Sequence, residues 1–126
     1  MNMRTRTNMP EKPVRAIIID PRSERISEQV VLPTDAGLSK VIGCQLVQLR
    51  VPVNDHVAYT NADVLPPLEE RHFVYNDILF SGRMVIVSCD LYTHLDCTLS
   101  VEEVGSKVQW AYPVLARDGI RFAVEA

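Results

Sequence analysis

Short apolar runs separated by polar turn residues recur along the chain, a pattern that predicts many strands and few helices. The first run is Ala16, Ile17, Ile18 and Ile19, and Asp20-Pro21 closes it because proline fixes φ and brings no amide donor. A strand is expected over Val14 to Asp20. Ile26 to Leu32 is β-prone again, so the polar residues between form the loop of a hairpin. From Thr34 to Gly43 the spacing changes. Leu38, Val41 and Ile42 recur at helical steps, Thr34 or Asp35 can cap the first turn, and Gly43 can end the last one in a left-handed conformation.

Cys44 to Val53 returns to a strand pattern with one wet face, weakened at Pro52 towards an edge or a bulge. Asn54-Asp55 is a turn pair that leads into a strand over His56 to Tyr59, and Thr60 to Arg71 is rich enough in proline, Asn, Asp and Glu to be a surface loop. Phe73 to Tyr75 and Ile78 to Phe80 read as two short strands joined at Asn76-Asp77. The strongest later strand is Met84 to Leu91, whose continuous run Met84, Val85, Ile86, Val87 suits an interior lane buried on both faces. Thr98 or Ser100 can cap a helix, Ser100 and Glu103 make a capping-box pattern, and Val101, Val104, Val108 and Ala111 follow at three- and four-residue steps, which predicts a helix limited by Pro113. Asp118-Gly119 then precedes Ile120 to Val124, a last strand or an attached extension.

These elements define an α+β domain built on a single, mostly antiparallel sheet of about five to seven strands with two short helices. The expected division is a flexible amino-terminal tail over residues 1–13, the domain over residues 14–112, and an extension or last strand over residues 113–126. A chain of 126 residues with 47% hydrophobic and 23% charged positions is long enough for one core and too short for two. The apolar runs are strand-sized, which gives no membrane span and no core for a secretory signal, so the chain is expected in the cytoplasm. Its three cysteines are odd in number and irregular in spacing, as reduced thiols would be. A net charge of -3 argues against a nucleic-acid footprint over the whole surface.

A sparse set of motifs carries a resemblance. They are an apolar first strand ending in an acidic residue, Ile42-Gly43-Cys44 entering a strand, an aromatic segment around Phe73, and a Gly82 turn into Met84 to Val87. Thr98-Leu99-Ser100-Val101-Glu102-Glu103-Val104, leading to Val108 and Trp110, completes the set. Together they resemble a family of small uncharacterised domains found mostly in bacteriophages, plasmids and other mobile elements. Pro66-Pro67 and the segment Tyr92 to Cys97 depart from the pattern. The resemblance implies a small α+β fold and an accessory role in a mobile element, with no catalytic residues to carry over.

The candidate chemistry is dispersed. Cys89, His94 and Cys97 fall within one loop's reach and are the residue types that zinc prefers, which makes zinc the candidate cofactor and a metal-dependent hydrolase centred on His94 one reading. They lack the paired spacing of a zinc ribbon, and Cys89 is equally explained as a small buried strand residue. Cys44 follows a helix C-terminus, the wrong pole for activating a thiol. Six of the thirteen cationic side chains lie in the first 25 residues, which allows a nucleic-acid-binding regulator that uses this basic segment. Arg15, Arg22 and Arg25, near the first hairpin, are the candidate ligand-binding side chains. With no convincing catalytic constellation, the sequence favours a non-enzymatic accessory protein that binds a host protein or a small anionic ligand. The strand Gln45 to Val53, if it lies at a sheet edge, would also favour a homodimer.

Overall fold

The computed structural model describes residues 11–43, 47–53, 56–61, 71–90 and 93–125, and for 47–53 the backbone alone. In chain order the elements are β1 (Val14–Asp20), β2 (Arg25–Val31), α1 (Asp35–Ile42), β3 (Val47–Val53), β4 (His56–Asn61) and β5 (His72–Tyr75). They continue with β6 (Ile78–Ser81), β7 (Met84–Cys89), β8 (His94–Leu95), α2 (Val101–Gly105), β9 (Val108–Ala116) and β10 (Gly119–Val124). The strands form two sheets, which corrects the expectation of one. A six-stranded sheet runs β2-β1-β7-β4-β3 with β8 also against β7, and a four-stranded sheet runs β10-β9-β5-β6. All pairings are antiparallel.

The run Met84 to Val87 is fully buried, and its pleat explains why. Successive side chains of a strand point to opposite faces. Met84 and Ile86 join Ile17, Ile19 and Ala58 against Phe73, Tyr75 and Phe80 of the second sheet, while Val85 and Val87 join Val14, Ala16 and Ile18 beneath Leu38 and Ile42 of α1. The larger sheet is thus a middle layer with apolar residues on both faces. Each fully buried Ile or Val there contributes about 1.5–3 kcal/mol relative to its exposed state.

Both helices begin where the caps predict. The Thr34 hydroxyl accepts from the Gly37 N–H at 3.0 Å, and Gly43 ends α1 at φ 81° with its N–H donating to the Ser39 carbonyl at 2.8 Å. Ser100 and Glu103 bond reciprocally, each at 3.0 Å. The second helix, however, stops at Gly105. Val108 and Ala111 belong to β9, opposite Tyr75 and His72, so the stripe of valines does not continue as a helix. Val108 and Trp110 pack on the core between the sheets, a period of two that pairing with β5 enforces. Pro113 falls within β9, beyond its contact with β5, where the strand has a neighbour on one side only and a missing donor is tolerated.

Several turns match their sequence signals. Asn76 and Asp77 adopt φ of 51° and 64° in the β5–β6 hairpin, and Asp118-Gly119 lies in the β9–β10 turn. The register of β3 on β4 shifts between Arg50 and Val53, the bulge expected at Pro52, and β3 is the edge of its sheet. Residues 1–10 of the expected tail, Cys44, the Asn54-Asp55 turn, residues 62–70 of the expected loop, and Leu91 and Tyr92 lie outside the described residues. No described helix is long and apolar enough to cross a membrane.

Candidate functional site

The three candidate ligand arginines do not converge. Arg15 sits near the start of β1, whereas Arg22 and Arg25 lie around its far end, and a seven-residue strand separates the ends by roughly 20 Å. Arg15 is a latch for a crossing segment. One guanidinium nitrogen, Nη1, donates to the carbonyls of Cys97 at 2.6 Å and Leu99 at 2.9 Å, and Nε pairs with Glu28 at 2.5 Å. The Glu28 hydrogen bond pushes the Arg15 guanidinium further above its already high value. Its backbone joins in, with the Arg15 N–H donating to Asp96 Oδ1 at 2.7 Å and the Cys97 N–H to the Arg15 carbonyl at 2.8 Å. Buried His56 holds the same segment from β4, its Nε2 accepting from the Thr98 N–H at 3.1 Å.

The candidate metal ligands are also parted. Cys89 and His94 are directly opposed in the β7–β8 ladder, so both lie on the α1 side of the sheet with Val85 and Val87. Cys97 is 3% exposed and packs in the core between the two sheets, on the other face. Burial pushes its thiol pKa up, which disfavours the thiolate a metal would need. The His94 ring is occupied as well. Its Nε2 lies 2.6 Å from the Tyr59 hydroxyl and its Nδ1 3.2 Å from Glu11 Oε1. Both ring nitrogens thus face a hydrogen-bonding neighbour, and neither is turned to an open position where a metal could sit. Burial, then the nearby Cys89 and Glu11, raise the Tyr59 phenol above its usual pKa. Among the described residues no group of three or more His, Cys, Asp and Glu is placed to hold a metal ion.

A groove of about 800 Å³ runs between α1 and β2. Its floor is one face of the β1–β2 ladder, with Ile18, Ser27 and Val31, and its wall is α1, with Lys40 and Val41. The connection from β2 to α1 is tight: a Cβ built on Gly37 would lie 2.0 Å from the Leu32 carbonyl oxygen, so the first helical turn presses on the end of the strand. Because α1 covers the centre of the sheet, the outer strand is left beside an open trough. Among the described residues no strand pairs with the outer edge of β2. Val30 is 73% and Leu32 44% exposed at its end.

Charge along the groove is uneven. Its two carboxylates are engaged, Asp20 with Arg83 at 3.2 Å and Glu28 with Arg15. Arg25, one of the expected ligand residues, and Lys40 line it with no carboxylate partner among the described residues. Arg83 fixes the end of the groove by also donating to the Val41 carbonyl at 3.0 Å. Arg83 and Lys40 carry no sequence signal, since each is one isolated cation brought to the groove by tertiary structure, Arg83 by the placing of β7 beside β1 and Lys40 by the packing of α1 on the sheet.

Comparison with family models, with curated proteins and with solved structures finds no match to the chain. The likeness to mobile-element domains therefore rests on the sequence motifs alone.

Proposed function

We propose that the protein acts by binding, and that it captures an extended segment of another protein by adding it as a strand to β2. One observation carries this reading: the outer edge of a seven-residue strand, unpaired among the described residues, runs along an open groove walled by a helix. Strand addition supplies sequence-independent backbone hydrogen bonds, and alternate side chains of the added strand supply selectivity. The groove offers apolar contact at Ile18, Val31 and Val41 and, at Arg25 and Lys40, positive charge without a carboxylate partner among the described residues, so the partner segment presents both apolar and acidic side chains at the every-second positions that face the groove. An accessory protein of a mobile element that docks on a host protein fits this role. Self-association by pairing of β2 or β3 edges is a second use of the same physics.

Selection from a random peptide display library tests the proposal. Extended peptides with alternating acidic residues should emerge and shift the backbone amide resonances of Arg25–Val31. The double substitution Arg25→Glu with Lys40→Glu should weaken their binding by about tenfold or more without unfolding the chain, because both side chains are exposed. Peptides that shift other amides instead, or binding that ignores the charge reversal, would overturn it.

A further inference from the structure

A second cavity, of about 310 Å³, opens at the end of the larger sheet where the β1–β2 turn, the last turn of α1 and the β6–β7 turn meet. Three arginines from different parts of the chain line it: Arg22 follows Pro21 in the first turn, Arg71 precedes β5, and Arg83 precedes β7. Asp20 is the one carboxylate in the lining. Local sequence places each cation there for a separate reason, yet the topology gathers all three.

Two of these guanidiniums are oriented by carboxylates without using all their donors: Arg71 by two that lie outside the lining, and Arg83 by Asp20 within it. Arg71 is held by Glu24 and Glu125, both through Nη1. The pairing with Arg71 keeps the Glu125 carboxyl below its usual pKa, so it stays ionised at neutral pH. Arg83 is held through Nε by Asp20 and through Nη1 by the Val41 carbonyl. Each guanidinium has five N–H donors in a rigid fork. The Nε and Nη2 edge of Arg71 and the Nη2 of Arg83 make no hydrogen bond among the described residues. An Nε–Nη2 edge is the part of arginine that grips an oxyanion with two parallel hydrogen bonds.

We propose that this cavity binds a small, multiply charged oxyanion of the phosphate class. Its volume lies at the lower limit for small-molecule sites, which suits a phosphate or diphosphate group and its immediate substituent. The site is separate from peptide capture at β2, although Asp20 and Arg83 border both. Of the arginines that the sequence marks for an anionic ligand, Arg15, Arg22 and Arg25, only Arg22 lines this cavity, where Arg71 and Arg83 take the place of the other two.

Titration of the full chain with inorganic pyrophosphate, followed by calorimetry and by amide resonances, tests the assignment. Saturable binding that weakens with added salt and shifts the amides of Arg22, Gly82 and Arg83 is expected. Arg71→Lys keeps the positive charge and removes the fork, so it should weaken binding by about tenfold or more with the melting temperature unchanged. Arg22→Gln, on an exposed turn, should weaken it as well and serves if Arg71→Lys disturbs the fold. Absence of saturable pyrophosphate binding, binding unaltered in both variants, or binding of a single-stranded oligonucleotide in its place would overturn the proposal.

Discussion

Arg15 makes two hydrogen bonds to carbonyl oxygens and one surface ion pair, and the two kinds of contact differ in value. Hydrogen bonds from a charged donor contribute about 1.5–3 kcal/mol, whereas an exposed pair such as that with Glu28 contributes about 0–1 kcal/mol. Arg15→Met should therefore lower the unfolding free energy by about 2 kcal/mol and Glu28→Gln by about 0.5 kcal/mol, as read from urea denaturation. Equal losses would mean that the ion pair, and not the carbonyl latch, is what matters. Tyr75 poses the opposite case. It is 1% exposed, and its hydroxyl has no hydrogen-bond partner among the described residues. Tyr75→Phe should raise stability by roughly 1 kcal/mol by removing an unsatisfied buried group. Burial also raises the phenol's pKa, so the unfolded chain gives up this proton first. The folded state therefore loses stability as pH rises above the ordinary tyrosine range, and Tyr75→Phe should show a smaller alkaline loss in melts taken at stepped pH. None of this was legible in the sequence. A lone arginine in a β-prone run reads as a solvated or ligand-binding side chain, and its acceptors lie more than eighty residues away.

Signals contained within a few residues were legible. The caps of both helices, the two-residue turn at Asn76-Asp77 and the interior position of β7 depend on local chemistry or on an unbroken apolar run, and each is present in the structure. The extended second helix failed for a specific reason. Four apolar residues at three- and four-residue steps fit a helix, but Val108 and Trp110 also fit a strand, and the offered partner β5 decided between them. Helix α1 carries a constraint that its propensities hide. Gly37 is tolerated in its first turns because any side chain there would strike the Leu32 carbonyl. Gly37→Ala should therefore destabilise by about 2 kcal/mol or more despite alanine's better helix propensity. Gly105→Ala, where the added methyl meets Ile26 at an ordinary 3.5 Å, should be neutral or mildly stabilising. Thermal melts of the two variants in parallel check the contrast.

The two sheets are not separable units. The chain enters the smaller sheet at β5 and β6, returns to the larger one at β7, and leaves again at β9 and β10. Stability should be graded accordingly. Amides of β1 and β7, buried between layers, should exchange with deuterium only on global unfolding, while those of β10, where Ile120 and Val124 are 44% and 43% exposed, should exchange by local opening. Uniform protection across both sheets, measured by native-state exchange, would contradict this gradient. Sheet count, like the gathering of Arg22, Arg71 and Arg83, was beyond the sequence because it is a property of which strands pair, and many pairings satisfy the same apolar pattern. Strand order also bears on how the protein folds. β1, with its Ala16 to Ile19 run, has β2 as an adjoining hairpin partner, whereas the strand on its other side, Met84–Cys89, comes much later in the chain. Until that pairing forms, one side of an apolar strand stays uncovered, so the order of the strands makes closure of the larger sheet a slow, long-range step exposed to aggregation.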